Sequence, residues 1–188
     1  MESLRKHIEA IIKLTDEEFD HIASHFHLKK LRKHSFLVQE GDWVENEYFV
    51  IKGALKAYFY DAEKAKEHIF QFAVEDWWIT DREAFLKGTR AEISIDCLED
   101  CELLSLSRAD RDKLCNEIPK FERYLLTKIS YGYVSQQKRV LTLIKNNAKE
   151  RYSLFMEQYP HLLQRIPKIL IASYLGVTRE TLSRMSAK

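Results

Sequence analysis

Cysteine, proline and glycine are all scarce in this chain of 188 residues, which contains three, three and five of them. Cys97, Cys101 and Cys115 are odd in number and lack CxxC spacing, which excludes a disulfide framework and fits a reducing compartment in which they are buried thiols. So little proline and glycine excludes a collagenous or low-complexity chain. No apolar run approaches the roughly 18 to 20 residues that a membrane helix needs. The start, Met1-Glu2-Ser3-Leu4-Arg5-Lys6-His7, leads into no signal-peptide core. A cytoplasmic protein without a membrane partner is expected. Net charge is nearly absent as well, at +1. What the chain does have is 45% apolar and 31% charged residues, the composition of a folded protein of one or two domains with a substantial core.

The near-neutral total conceals two opposite parts. Residues 138–188 carry ten basic side chains (Lys138, Arg139, Lys145, Lys149, Arg151, Arg165, Lys168, Arg179, Arg184 and Lys188) against Glu150, Glu157 and Glu180, a net of +7. The remainder holds twenty basic against twenty-six acidic residues, or −6. Phosphate neutralisation supplies the sequence-independent part of nucleic-acid affinity, so this asymmetry reads as a basic module for a polyanion joined to an acidic module with another task. A solvated helical face is the plainer alternative.

Thr15-Asp16-Glu17-Glu18 has the form of a capping box, so a helix should follow, with Phe19, Ile22, Ala23 and Phe26 on one face. From about residue 36 the period becomes two. Leu55, Ala57 and Phe59 alternate with Lys56, Tyr58 and Tyr60, as do Phe70, Phe72 and Val74 with their neighbours, and Ile93, Ile95 and Cys97 with theirs. These are half-buried antiparallel strands of a β-sandwich or β-roll, punctuated by Gly41, Gly53 and the stretch from Asp61 to Ala65. A long helix is expected from Pro119, where Phe121, Leu125, Ile129, Gly132 and Gln136 share one stripe. Gly132 would let a partner helix approach closely, making the stripe a symmetric dimer seam; packing on the chain's own β domain is the alternative. A second helix is expected from about Val140 to Gln158. The domains are therefore 1–117, a connecting helix at 118–137, and 138–188.

The most specific pattern is Pro167-Lys168-Ile169-Leu170-Ile171-Ala172-Ser173-Tyr174-Leu175-Gly176-Val177-Thr178-Arg179-Glu180-Thr181-Leu182-Ser183-Arg184. It reads as helix, tight turn, helix. Ile171 and Leu175 give the first helix an inner face, Ala172 admits a close crossing, Gly176 supplies the left-handed turn, and Thr178 caps a second helix that turns Leu182 and Met185 inward. The opposite face presents Glu180 and Arg184, flanked by Arg179 and Ser183. Arginine donates two hydrogen bonds to guanine, and a carboxylate accepts one from cytosine N4. A glutamate facing phosphates weakens binding unless it meets a specific donor, so Glu180 is the informative residue; an exposed ion pair with Arg184 is the alternative. Lys168, Thr178 and Thr181 are candidates for phosphate contacts.

These residues resemble the Crp/Fnr family of bacterial transcription regulators. Thr178-Arg179-Glu180-Thr181-Leu182-Ser183-Arg184 is similar to that family's recognition helix, whose arginine, glutamate and final arginine contact bases. Glu40-Gly41-Asp42 through Tyr48-Phe49-Val50-Ile51-Lys52-Gly53 is similar to the early strands of its cyclic-nucleotide-binding β-roll, and the helix from Pro119 resembles its dimerisation helix. The resemblance implies an α+β chain: an N-terminal antiparallel β-roll sensor of double-stranded β-helix or jelly-roll type, a long dimerisation helix, and a C-terminal helix-turn-helix of winged-helix type. It implies a homodimer on a two-fold symmetric DNA site, with RNA polymerase as a further partner.

Two departures from that pattern matter. Family members that bind cyclic nucleotides hold the phosphate with a Gly-Glu pair and, further on, an Arg-Ser pair. Here the first stretch reads Trp77-Trp78-Ile79-Thr80-Asp81, and the Arg-Ser positions fall on Ala91 and Glu92, with Arg90 one residue out of register. A glutamate beside a cyclic phosphate is repulsive, so cyclic AMP is not expected. Trp77, Trp78, Thr80, Asp81 and Arg90 remain candidate contacts for a different small effector, unless the two tryptophans are core. Only Ser186, Ala187 and Lys188 follow the recognition-helix core, so the wing is expected to be short or absent.

Catalytic and metal chemistry finds little support. His25-Phe26-His27 has the HxH form of a cupin metal site but lacks the spaced glutamate and glycine that would follow. His21 and His25 stand i,i+4 and are read as exposed surface histidines. Three scattered cysteines do not make an iron-sulfur site. No nucleophile with a base and no phosphate-cradling glycine loop is present. The expectation is a DNA-binding regulator without enzymatic activity, metal or certain cofactor. Its rivals are a ligand-binding or protein-interaction module that does not engage DNA, and a β-roll metalloenzyme.

Overall fold

The structure, a computed structural model, describes residues 1–186; the expectation of a short or absent wing falls on residues outside these. Two short helices open the chain, α1 (Glu2–Glu9) and α2 (Asp16–Ser24). Strands β1 (His27–Leu31), β2 (Phe36–Val38), β3 (Asn46–Lys52), β4 (Leu55–Asp61), β5 (Lys66–Ala73) and β6 (Trp78–Ile79) follow. Then come α3 (Arg82–Lys87), β7 (Ser94–Cys97), β8 (Cys101–Ser107), α4 (Arg108–Glu117) and the long α5 (Pro119–Lys145). The chain continues through α6 (Ala148–Gln158), α7 (Leu162–Arg165), α8 (Lys168–Leu175) and α9 (Arg179–Ser186).

The strands form two four-stranded sheets, ordered β1-β8-β3-β6 and β2-β7-β4-β5, the α+β arrangement with an antiparallel β-roll that the resemblance implies. In the first sheet β8 lies between β1 and β3, pairing Leu104 with both Leu28 and Phe49. The Thr15 capping box forms as expected: its hydroxyl accepts from Glu18 N at 3.2 Å, and Glu18 Oε2 accepts from Thr15 N at 2.8 Å.

By the density of its internal contacts the chain divides into two compact units. The first comprises Met1–Ala57 and Phe72–Ser130, the second Tyr58–Gln71 and the residues from Tyr131 onward. The first unit is built on a core in which Leu4, Ile8, Ile22, Phe26, Phe49, Leu104 and Leu114 meet Phe121, Tyr124 and Leu125 of α5. Burying a large apolar side chain stabilises by about 1.5 to 3 kcal/mol, and this is where Phe121 and Leu125 are spent. They are therefore withdrawn from the expected dimer stripe. Ile129 and Gln136 remain exposed, and Gly132 lies where an added Cβ would meet nothing within 4 Å.

Two further expectations are corrected. The helix expected from Val140 to Gln158 is divided: α5 runs on to Lys145, and α6 starts after Asn147. Asn147 Oδ1 accepts from Lys149 N at 3.0 Å and Glu150 N at 3.1 Å, while Glu150 Oε2 accepts from Asn147 N at 2.9 Å, a second capping box that interrupts the helix. The alternation in β4 also fails. Leu55, Lys56, Ala57 and Tyr58 are all buried while Phe59 and Tyr60 are exposed, because Lys56 is covered and paired with Asp96 at 3.5 Å. Residues 58–71, the greater part of the hairpin between β4 and β5, group with the second unit. There Ser173 Oγ donates to Glu67 O at 2.7 Å and accepts from Ile69 N at 3.2 Å.

Candidate nucleic-acid interface

Helix α8 ends at Gly176, whose φ of 67° places it in the left-handed region. Its N–H bonds back to Ser173 O at 3.1 Å, and Val177 N to Ala172 O at 3.0 Å, closing the turn as glycine permits and other residues resist. Thr178 then starts α9: its hydroxyl accepts from Thr181 N at 3.2 Å. Ile171, Ala172, Leu175 and Leu182 are each at most 3% exposed, so the crossing of the two helices is sealed as the spacing predicts. Phe155 of α6 and Leu162 and Ile166 are buried in the same unit.

With the inner face so occupied, the outer face of α9 is left to Arg179, Glu180, Ser183 and Arg184, all exposed. The Glu180 carboxyl is held below its ordinary range, chiefly by its own backbone N–H and the Thr178 hydroxyl, with Arg179 and Arg184 adding to the effect. It is therefore an acceptor-only group at the front of the helix. The Thr178 hydroxyl also lies 3.1 Å from that of Thr181, so both threonines are engaged within the turn. Arg184 reaches Thr181 Oγ1 only at 3.5 Å, a contact too long to fix the guanidinium. Lys168, at the exposed start of α8, stands apart from this group in sequence and at the other helix's entry.

Arg139 contributes more than charge to this unit. Its guanidinium lies 3.6 Å from the Tyr174 ring centroid and donates to Tyr174 O at 2.7 Å and Ile69 O at 3.3 Å. It thus ties α5, α8 and the β4–β5 hairpin together. Nothing in the spacing of the chain announces this, since the partners are 35 and 70 residues away.

The candidate effector residues are placed differently from one another. Trp78 is partly buried and packs against the core: its indole N–H donates to Tyr124 Oη at 3.0 Å and its ring meets those of Phe26 and Phe49. Trp77 is half-buried and serves the sheet through its carbonyl, which accepts from Val50 N at 2.9 Å. Thr80 donates to Asn46 O at 2.9 Å. Asp81 is 6% exposed and accepts from both Ala84 N, capping α3, and Glu92 N. Arg90 reaches Gly41 O at 2.7 Å and lies over the Trp43 ring. Each has a structural partner, and a carboxylate beside Glu92 makes this stretch unfriendly to a phosphate.

The three cysteines are free thiols; Cys97 and Cys101 are buried and Cys115 partly so. The hydrogen bond that the Cys97 thiol donates to Cys101, with burial adding to it, pushes Cys97 far up, so it is inert as a nucleophile. No helix among the described residues is long and apolar enough to cross a membrane.

The described residues thus carry a β-roll, a long helix and a helix-turn-helix with charged residues at the front of its second helix. Residues 28–117 match the family model described as a cyclic nucleotide-binding domain, and the chain as a whole is similar to Crp/Fnr regulators in sequence and fold. The transcriptional activator protein Anr of Pseudomonas protegens is 26% identical over 171 residues, covering 84% of this chain and 68% of the relative. FixK2 from Bradyrhizobium japonicum superposes with a TM-score of 0.76 at 19% identity, covering 86% of this chain and 83% of that one. A CooA mutant from Carboxydothermus hydrogenoformans gives 0.73 at 17% identity, covering 93% and 85%.

Proposed function

We propose that this chain is a sequence-specific, DNA-binding transcription regulator of the Crp/Fnr type, acting as a homodimer on a two-fold symmetric site. The observation that carries the reading is the front of α9. Its apolar face is consumed by packing, yet Arg179, Glu180 and Arg184 project from its exposed side, where a recognition helix meets base edges in the major groove. The +7 balance of residues 138–188 supports phosphate contact by the same module.

A dimer is supported by α5. Leu126 (64% exposed), Tyr133 (70%) and Val140 (53%) recur every seven residues, each followed three positions on by Ile129, Gln136 and Leu143 in turn. That is a coiled-coil spacing on a face the chain itself leaves open. An effector other than cyclic AMP is favoured, because Asp81 and Glu92 stand where a phosphate would need cations and donors.

The test is selection of preferred duplexes from a random DNA pool. Wild type should return a two-fold symmetric consensus, and Glu180→Ala should lose discrimination at one base pair of each half-site, about 1 to 3 kcal/mol. Lys168→Ala should weaken all sequences alike and lower the salt slope. A consensus unchanged by Glu180→Ala would remove the assigned role of that residue. No selectable duplex at low salt would overturn the reading as a whole.

A further inference from the structure

Residues 18, 21 and 25 lie along one face of α2, and that face is tied to the junction of α4 and α5. Glu18 pairs with Lys120 at 2.5 Å and His21 Nε2 with Glu117 at 2.7 Å. His25, at the C-cap of α2, completes the group: one ring nitrogen of each histidine and a carboxylate oxygen of Glu117 lie within 4.8 Å of one another. The histidine expected on the surface is not there. His25 is 8% exposed, whereas the side chains of His21 and Glu117 are 42% and 41% exposed. The cluster is a rim site with one buried member.

We propose that His21, His25 and Glu117 form a binding site for a divalent metal ion of the zinc class. The buried histidine is already oriented for it. His25 Nδ1 lies 3.0 Å from His21 O, and a carbonyl can only accept, so Nδ1 is the donor and Nε2 is the nitrogen left for a metal. Metal-binding imidazoles are held in this way, with the second nitrogen donating to a carbonyl or carboxylate. Glu117 is ionised: the His21 hydrogen bond, and then Lys113 and the two imidazoles, hold its carboxyl below the ordinary range.

The surroundings favour a cation as well. Both α2 and α4 end at this cluster, His25 capping the first and Glu117 being the last residue of the second. Each helix C-terminus adds partial negative charge. The opposing group is Lys113 at 4.0 Å from Glu117, but its side chain is 55% exposed and free to swing into water. Ligand atoms around a tetrahedral zinc stand roughly 3.3 Å apart, given bonds near 2.0 to 2.1 Å. The present spacing reaches that by rotation of the exposed Glu117 and His21 side chains, the 2.7 Å pair opening and the wider separations closing. A metal ion at His21 Nε2 takes the place of the proton now shared with Glu117.

Two imidazoles and one carboxylate select zinc, cobalt, nickel or copper over magnesium and calcium, which prefer oxygen alone. Three protein ligands leave an open position for water. The ion would clamp α2 to the residue that ends α4, one step before Ile118 and the start of α5. Binding itself does not depend on the DNA-binding reading.

The experiment uses the full chain, stripped with EDTA, titrated with Co2+ and then with Zn2+. Cobalt should give a saturable d–d spectrum at about one ion per chain, displaced by Zn2+ and untouched by millimolar Mg2+. His21→Ala, His25→Asn and Glu117→Gln should each weaken Co2+ binding by at least tenfold, removal of a direct ligand costing no less than loss of an outer partner. His25→Asn retains an amide donor for His21 O, and Glu117→Gln changes an exposed residue, so both variants can be checked for native circular dichroism. Replacing Cys97, Cys101 and Cys115 by serine should leave the spectrum in place. An absent one-to-one signal, or undiminished binding by folded Glu117→Gln and His21→Ala proteins, would overturn the proposal.

Discussion

Two glycines with positive φ show how differently one residue type can be required. At Gly53 the φ is +106°, and an added Cβ would stand 2.5 Å from Cys101 Sγ and 2.8 Å from Asp100 O. Backbone cannot give way cheaply there. At Gly176 the φ is +67°, but the nearest atom to an added Cβ is Leu143 Cδ2 at an ordinary 3.9 Å. Gly53→Ala combines conformational strain with overpacking and should cost about 3 kcal/mol, whereas Gly176→Ala bears the left-handed strain alone, about 1 kcal/mol. Denaturant melts of the two variants, read at constant m-value, check the order. Equal losses would mean that the close approach at Gly53 relaxes in solution.

At the scale of elements, one hydroxyl joins three of them. Tyr124 of α5 is fully buried, with Trp78 Nε1–H donating to its oxygen at 3.0 Å and His7 Nδ1 of α1 at 2.7 Å from it. The indole can only donate, so the phenol oxygen accepts from it, and the same hydroxyl meets His7 Nδ1 in a direction that the imidazole tautomer sets. Tyr124→Phe strands the Trp78 N–H and should cost about 1 to 3 kcal/mol. Burial, with Lys128 adding to it, pushes the His7 imidazole down to about 4. A depressed pKa means that the unfolded chain takes up a proton the folded chain refuses. The His7 contribution is therefore intact above about pH 6.5 and lost as the pH falls towards 4. His7→Gln should flatten the stability profile across that window, measured by urea titration at successive pH values. A profile as steep as wild type would assign the slope to other groups.

For the whole molecule, the proposed function requires two copies and a charge divided along the chain. The open row on α5 holds Leu126, Tyr133 and Val140 at heptad spacing. Leu126→Glu with Val140→Glu places like charges against each other across any symmetric seam. Sedimentation should then show a monomer where wild type sediments as a dimer, and affinity for a two-half-site duplex should fall to that for a single half-site. A double variant that stays dimeric would move the seam elsewhere. Wild-type affinity should also drop steeply with salt, as counterion release demands of a module carrying +7.

The helix-turn-helix was legible from residues 167–184 because every decision in it is local: apolar positions three and four apart, a glycine for the left-handed turn, a threonine cap. The Asn147 capping box was equally local, but the apolar period running past it concealed it. The β-roll was legible in class, from alternation, though not in detail, because Lys56 is buried by a partner forty residues away that alternation does not reveal. The register of the α5 stripe, the docking of the 58–71 hairpin through Ser173, the Arg139 clasp and the meeting of His21 with Glu117 belong to tertiary structure. Those contacts join residues from 35 to more than a hundred positions apart. Local propensity and periodicity act over a few turns, so the sequence by itself determined the kind of most elements and, in the helix-turn-helix, the face each would bury. Which buried face met which, and hence which side chains were left outside to act, was decided by the packing of a core that no short window contains.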